Sequence, residues 1–338
     1  MCTHDTAPTL FVEAGGVTFA YRRIAVQKDA PAGGSDGPVA LAPAAAAAPP
    51  LVLLQHLRGS MDYWDPAVVD GLAAGREVVE FDNAGVGLSS GETPSTFAGL
   101  ADHAADLIRA LDLGVVDVLG FSIGGHTAQE LVLRHPELVR RLIIAGSKPR
   151  GGESEGTAPD VIDVAGRHEV STLDDFLYLF FSPSAAGQVA GRDFWARRHQ
   201  RTVDVDAPTS RQTFEAQRDA ILDWATPRPA GERDLESITA PTLVVNGSRD
   251  IMAPTVNSWV MSQRIPDAQL VIYPDAGHGA IFQYPRTFVA HAVEFLDRHR
   301  PALGSAAAGE PLAPTAASAS ASSAASAAPA STPTEESR

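Results

Sequence analysis

Short apolar runs alternate along this chain with stretches of helical period. Val115-Val116-Asp117-Val118-Leu119 is four-fifths apolar and rich in Val, the pattern of a buried strand. His126 to Arg134 reads as a helix, and Gly120-Phe121-Ser122-Ile123-Gly124 lies between the two. Leu51–Leu54, Glu77–Phe81, Arg141–Ala145, Pro241–Val245 and Gln269–Tyr273 are further strand-like runs. Leu10-Phe11-Val12 and Val17 to Tyr21 flank Gly15-Gly16, the signal of a hairpin turn. Helices are predicted to begin near Asp62–Pro66 and to cover Thr96–Leu113, Pro254–Arg264 and Arg286–His299.

The rhythm breaks between Gly146 and Arg233, where no strand-like run occurs. Helix-like segments replace it at Ser171–Phe181, Ala186–Arg201 and Arg211–Trp224. The first opens on Ser171-Thr172-Leu173-Asp174-Asp175, with carboxylates in its first turn. The whole predicts an α/β fold with a mainly parallel, doubly wound sheet and a helical lid insertion. Residues 1–145 form the first part of the core, 146–235 the lid, and 236–300 the rest of the core. Two segments lack the large apolar residues that offset the entropy of ordering, the loop 28–50 and the tail 301–338. The tail, rich in Ala, Ser and Pro, is expected to be disordered.

Charge and cysteine usage narrow the function classes. A formal net charge of −15 over 338 residues argues against a nucleic-acid partner, because phosphate binding needs clustered Lys and Arg. Cys2 is the single cysteine, so no internal disulfide forms and no oxidising compartment is implied. No apolar run reaches membrane-span length, and Met1–Asp5 lacks a basic leader pattern. The expectation is a cytoplasmic protein with no membrane partner. Nothing in the sequence sets an oligomeric state.

The chemistry gathers after the strands. Ser122, Asp250 and His278 each follow the carboxyl end of a predicted strand, where ligands collect in such sheets. A serine hydroxyl needs a base to become a nucleophile, and a neutral imidazole serves near neutral pH. A carboxylate orients that imidazole and stabilises its cation. Strand, G-x-S-x-G and helix are the setting of a nucleophile elbow, and the order Ser, Asp, His belongs with it. Asp275 and Asp223 are the other acids weighed, but Asp250 has its own strand before it. His126, His135, His291 and His299 fall on helices and read as packing or surface residues, whereas His278 sits in a glycine-flanked loop.

With those residues in view, the sequence resembles the α/β-hydrolase superfamily from about Leu10 to His299. Gly120 to Gly125, Asn246-Gly247-Ser248-Arg249-Asp250 and Ala276-Gly277-His278-Gly279 carry the resemblance. Asp82 to Ser89 matches the family's D-x-R-G-x-G-x-S turn, with Ala84 where Arg is usual. Gln55-His56-Leu57-Arg58-Gly59 stands where the family has His-Gly-x. The resemblance implies the backbone N–H groups of Leu57 and Ile123 as oxyanion donors. His56 replaces the usual Gly; a structural role is expected, with a contact to substrate or Arg58, or an outward turn, as alternatives.

The implied activity is a serine hydrolase that cleaves a small ester-type acyl substrate through an acyl-enzyme, with no metal or organic cofactor. Activity should fall as pH drops through the ordinary imidazole range of about 6–7. A serine at position 122 speaks against dehalogenase and epoxide-hydrolase chemistry. A cofactor-free haloperoxidase or perhydrolase, a lactonase and a C–C bond hydrolase share the triad. A ligand receptor on the same fold is the non-enzymatic alternative. Phe176, Tyr178, Phe180, Phe181, Phe194, Trp195 and Trp224 of the insertion form its own core, and a few of them line an apolar acyl pocket.

Overall fold

The computed structural model describes residues 2–25, 48–228 and 233–298. Most of the loop 28–50, the whole tail 301–338 and His299 lie outside the described residues. Eight strands form one sheet: β1 (Leu10–Ala14), β2 (Val17–Ile24), β3 (Leu51–Leu54), β4 (Val78–Phe81), β5 (Val116–Phe121), β6 (Val139–Ala145), β7 (Thr242–Gly247) and β8 (Ala268–Tyr273). Their spatial order is β1-β2-β4-β3-β5-β6-β7-β8. The hairpin β1–β2 and its junction with β4 are antiparallel, and every pairing from β4 to β8 is parallel.

Strand alternation divides the core into two layers. Leu51, Leu53, Leu119, Phe121, Ile143, Leu243 and Val245 pack on one face of the sheet. Val52, Leu54, Val118, Leu142, Ile144 and Val244 pack on the other. Burial on both faces is why these strands read as continuous apolar runs. Asp117 interrupts β5 at a fully buried position, and Arg76 and Arg140 neutralise it with N–O distances of 3.0 and 2.6 Å. Val115, expected inside, is 52% exposed and precedes the strand.

The helices over these faces are α1 (Pro66–Ala73), α2 (Phe97–Ala110), α3 (Ile123–Arg134), α9 (Val256–Arg264) and α11 (Pro285–Asp297). A short 3-10 turn at Met61–Tyr63 precedes α1, which starts at Pro66 behind an Asp65 cap. The helix after Ser122 begins at Ile123, three residues ahead of the expected start. Gly124 and Gly125 masked that start, because glycine is a poor helix former.

Between β6 and β7 the described chain is helical: α4 (Val161–Gly166), α5 (Leu173–Phe180), α6 (Ala185–Arg198), α7 (Arg211–Ala225) and α8 (Asp234–Ser237). Thr172 and Asp175 form a reciprocal capping box at the start of α5. α4, α8 and a one-turn helix, α10 (Ala280–Gln283), are too short to show a period in sequence. Among the described residues no helix is long and apolar enough to cross a membrane.

Candidate active site

β5 runs straight into Ser122, and α3 starts on the next residue, so the chain reverses within one residue. Ser122 has φ 58° and ψ −121°, a strained region for a residue with a side chain. The geometry demands glycine on both sides. A Cβ at Gly120 would stand 2.3 Å from the Gly124 carbonyl oxygen, and one at Gly124 2.0 Å from that of Leu54.

Three loops bring Ser122, His278 and Asp250 together. Ser122 Oγ lies 2.9 Å from His278 Nε2, and His278 Nδ1 lies 2.8 Å from Asp250 Oδ2. Asp250 Oδ1 accepts the backbone N–H groups of Met252 and Ala253 at 2.7 and 2.9 Å. One carboxylate oxygen is thus spent on fixing the loop, and the other faces the imidazole. With Nδ1–H given to the carboxylate, Nε2 presents a lone pair able to accept the serine proton. All three side chains are buried.

The alternative acids are engaged elsewhere. Asp275 pairs with Arg249 at 3.2 Å and accepts from Ser184, and Asp223 pairs with Arg150. Of the helical histidines, His126 is buried between Phe97 and Trp224, His135 contacts Asp102, and His291 contacts the Tyr273 hydroxyl.

The loop after β3 stands beside Ser122. Gln55 braces it: its Oε1 accepts the His56 N–H at 2.8 Å and its Nε2 donates to the Ser60 carbonyl at 3.0 Å. Arg58, at φ 62°, is tied to the helical segment by five residues, and its carbonyl accepts from Thr209 Oγ1 at 2.6 Å. Its N–H donates to Gln217 Oε1 at 2.8 Å, and its guanidinium donates to the carbonyls of Ala165, His168 and Glu169. Leu57 lies between these anchors. Neither its N–H nor that of Ile123 meets an acceptor among the described residues. Asp82 underpins the loop, accepting from Met61 N at 2.8 Å and from Leu88 N at 3.2 Å, so the Asp82–Ser89 turn acts here as a brace.

A small cavity of about 30 Å³ adjoins Ser122, lined among others by His56, Leu57, Tyr63, Phe176, Phe180 and Met252. Of the seven aromatics in the helical segment, Phe176 and Phe180 face it. The sequence carried no signal to select them, because helical period marks a buried face but not what that face meets. Phe180 also anchors the histidine loop, its carbonyl accepting the Gly279 N–H at 2.7 Å. Asp175 is another of the cavity's lining residues. Burial pushes its carboxyl up, but hydrogen bonds from Thr172, His168 and Arg167 outweigh that and hold it down to about 2.

His56 is fully inside, edge-on to Tyr63, Phe121, Phe176 and Phe180. It neither turns outward nor contacts Arg58. Burial is the main cause that lowers its pKa from 6.5 to about 3, and the nearby Arg198 charge adds to it. Such a histidine stabilises the fold fully above pH 6.5, and the contribution is lost as pH falls toward 3 while the unfolded chain takes up the proton. His126, held well below its ordinary value by burial, acts in the same direction. Denaturant titrations between pH 7 and 4.5 are therefore expected to show falling stability. His56→Phe should flatten that slope by up to about 1.4 kcal/mol per pH unit. A variant slope equal to the wild type's would mean that His56 is charged in the folded protein.

Among the described residues no group of three or more His, Cys, Asp or Glu is disposed to hold a metal ion.

A buried serine, imidazole and carboxylate thus stand in one line at the carboxyl edge of a mainly parallel sheet. Comparison with known proteins gives the class. The family model described as the alpha/beta hydrolase fold matches residues 49–285, and the chain belongs to that family. Among solved structures, an alpha/beta hydrolase fold protein from Chitinophaga pinensis is 38% identical, with a TM-score of 0.77 over 88% of this chain and 100% of that one. A protein of Agrobacterium fabrum named as the carbamate hydrolase RutD is 25% identical over 74% of this chain and 94% of its own. The pimeloyl-[acyl-carrier protein] methyl ester esterase of Nitrosomonas europaea is 26% identical over 72% of this chain and 93% of its own. The protein is an enzyme, a hydrolase of the α/β family.

Proposed function

We propose that the protein is a serine hydrolase that cleaves a small ester through an acyl-enzyme. Ser122 Oγ attacks the acyl carbon while His278 Nε2 takes its proton. The oxyanion of the tetrahedral intermediate sits against the Leu57 and Ile123 N–H groups. One such donor is worth about 3 kcal/mol of barrier. His278 then gives the proton to the departing alkoxide, and the acyl group remains on Ser122. Water, deprotonated by the same nitrogen, attacks the acyl-enzyme, and the acid departs as His278 returns that proton to Ser122 Oγ. Asp250 keeps Nδ1 protonated and stabilises the imidazolium.

The observation that carries this reading is the Asp250–His278–Ser122 line ending beside two backbone N–H groups that meet no acceptor among the described residues. The relative named as a methyl ester esterase supports an ester as substrate. A cavity of about 30 Å³ supports a short acyl group. The test is labelling with a fluorophosphonate, mapped by peptide mass spectrometry, followed by a chain-length series of p-nitrophenyl esters. Label on Ser122 and a rate maximum at the shortest acyl groups are expected. A folded enzyme that takes no label would sink the reading.

Asp250→Asn tests the orienting role. The amide can present its N–H to Nδ1 and force the wrong tautomer. A fall in kcat of about 10⁴-fold with KM little changed is expected. A fall below tenfold would leave Asp250 as a loop brace only.

A further inference from the structure

The cavity beside Ser122 is walled mainly by apolar groups, and one of the residues that line it carries an unused acceptor. His56 Nδ1 lies 2.8 Å from the Leu57 carbonyl oxygen. A carbonyl can only accept, so Nδ1 holds the ring's proton and Nε2 is a bare lone pair. That Nε2 is buried and has no hydrogen-bond partner among the described residues. His56 is 3% exposed and is among the residues that line the same cavity as Ser122.

Packing alone does not account for an imidazole here. The four aromatic edges around it would pack as well against phenylalanine, which carries no lone pair to strip of water. A buried acceptor left without a donor costs stability. The bond to Leu57 explains one nitrogen and leaves the other idle. Phe121, Phe176 and Phe180 bring no donor to it, and its Tyr63 contact is through the ring.

We propose that His56 Nε2 is a specificity-determining atom, which accepts a hydrogen bond from a hydroxyl or N–H donor on the acyl group of the substrate. The inference rests on the acyl-enzyme reading above and narrows it to donor-bearing short acyl esters. A hydroxyacyl ester satisfies Nε2, and its deoxy analogue leaves it stranded. Sites built to bond a substrate hydroxyl reject the analogue that lacks it strongly.

The experiment pairs ethyl glycolate with ethyl acetate, ethyl lactate with ethyl propionate, and ethyl 3-hydroxybutyrate with ethyl butyrate. Acid release gives kcat/KM for each. In the wild type at least one hydroxyl pair should show a preference of about tenfold or more, and His56→Phe should bring that ratio close to one. The ratio is the readout, so any general loss from disturbing Leu57 cancels. His56→Asn, which restores an acceptor, should recover part of the preference. A wild-type ratio near one in all three pairs overturns the proposal, as does a preference that survives in His56→Phe. Calorimetric binding of the same esters to Ser122→Ala reads the contact without turnover. If no ester is hydrolysed, the acyl-enzyme reading fails, and the binding preference of Ser122→Ala still decides for or against His56.

Discussion

Ser122→Ala is expected to lower kcat on its best ester by roughly 10⁴–10⁶-fold and to abolish fluorophosphonate labelling. The reason is local. Ser122 Oγ is the atom within 2.9 Å of His278 Nε2, and its loss leaves the imidazole with no hydroxyl to activate. The fold should not suffer. The backbone N–H of Ser122 bonds the Ala145 carbonyl at 2.9 Å, and its carbonyl accepts the Gly125 N–H at 2.9 Å. Both bonds survive the substitution, so thermal unfolding should stay near the wild-type temperature. Residual turnover above about one percent of wild type would mean that another group, or water activated directly by His278, performs the attack.

Gly124→Ala is expected to damage stability and activity together. The added Cβ would lie 2.0 Å from the Leu54 carbonyl oxygen and 2.9 Å from that of Gln55. Neither is the tip of a flexible side chain. Leu54 pairs with Gly120 in the β3–β5 ladder, so relief requires that helix α3 move off the sheet. A single methyl forced into such packing costs about 3 kcal/mol. That converts to a fall in Tm of roughly 5 °C for a domain of this size. Because α3 starts on the residue after Ser122, the same movement pulls the Ile123 N–H away from the place proposed above for the acyl carbonyl. Labelling of the surviving folded protein should therefore slow as well. A variant that melts and labels like the wild type would show that strand and helix are less closely apposed than these contacts require.

Much of the architecture was legible one element at a time. Continuous apolar runs predicted the strands from β3 to β7, because burial on both faces leaves little polar register, and the half-buried edge strand β8 read as such a run too. Gly15-Gly16 predicted the hairpin through its turn chemistry. G-x-S-x-G between strand and helix marked Ser122, since a reversal within one residue leaves no room for a Cβ at Gly120 or Gly124. Other features were not legible. Short helices such as α4 and α10 span too few turns for a period to emerge. Asp117 reads as an interruption until Arg76 and Arg140, distant in sequence, are seen to neutralise it. The choice of Phe176 and Phe180 from seven aromatics also needed contacts across the fold.

By itself, then, the sequence determined the strands and the longer helices, the α/β class and a short roster of residues with the right chemistry, all of them properties of local pattern and side-chain type. Tertiary structure decided which of those residues meet. Asp250 and His278 are 28 positions apart, and His278 and Ser122 are 156 apart. Their distances depend on how parallel strands stack, which no local window encodes. It decided as well that His56 turns inward with one nitrogen bonded and the other unused. Burial sets that state, and burial is made by Tyr63, Phe121, Phe176 and Phe180, which reach it from three other parts of the chain.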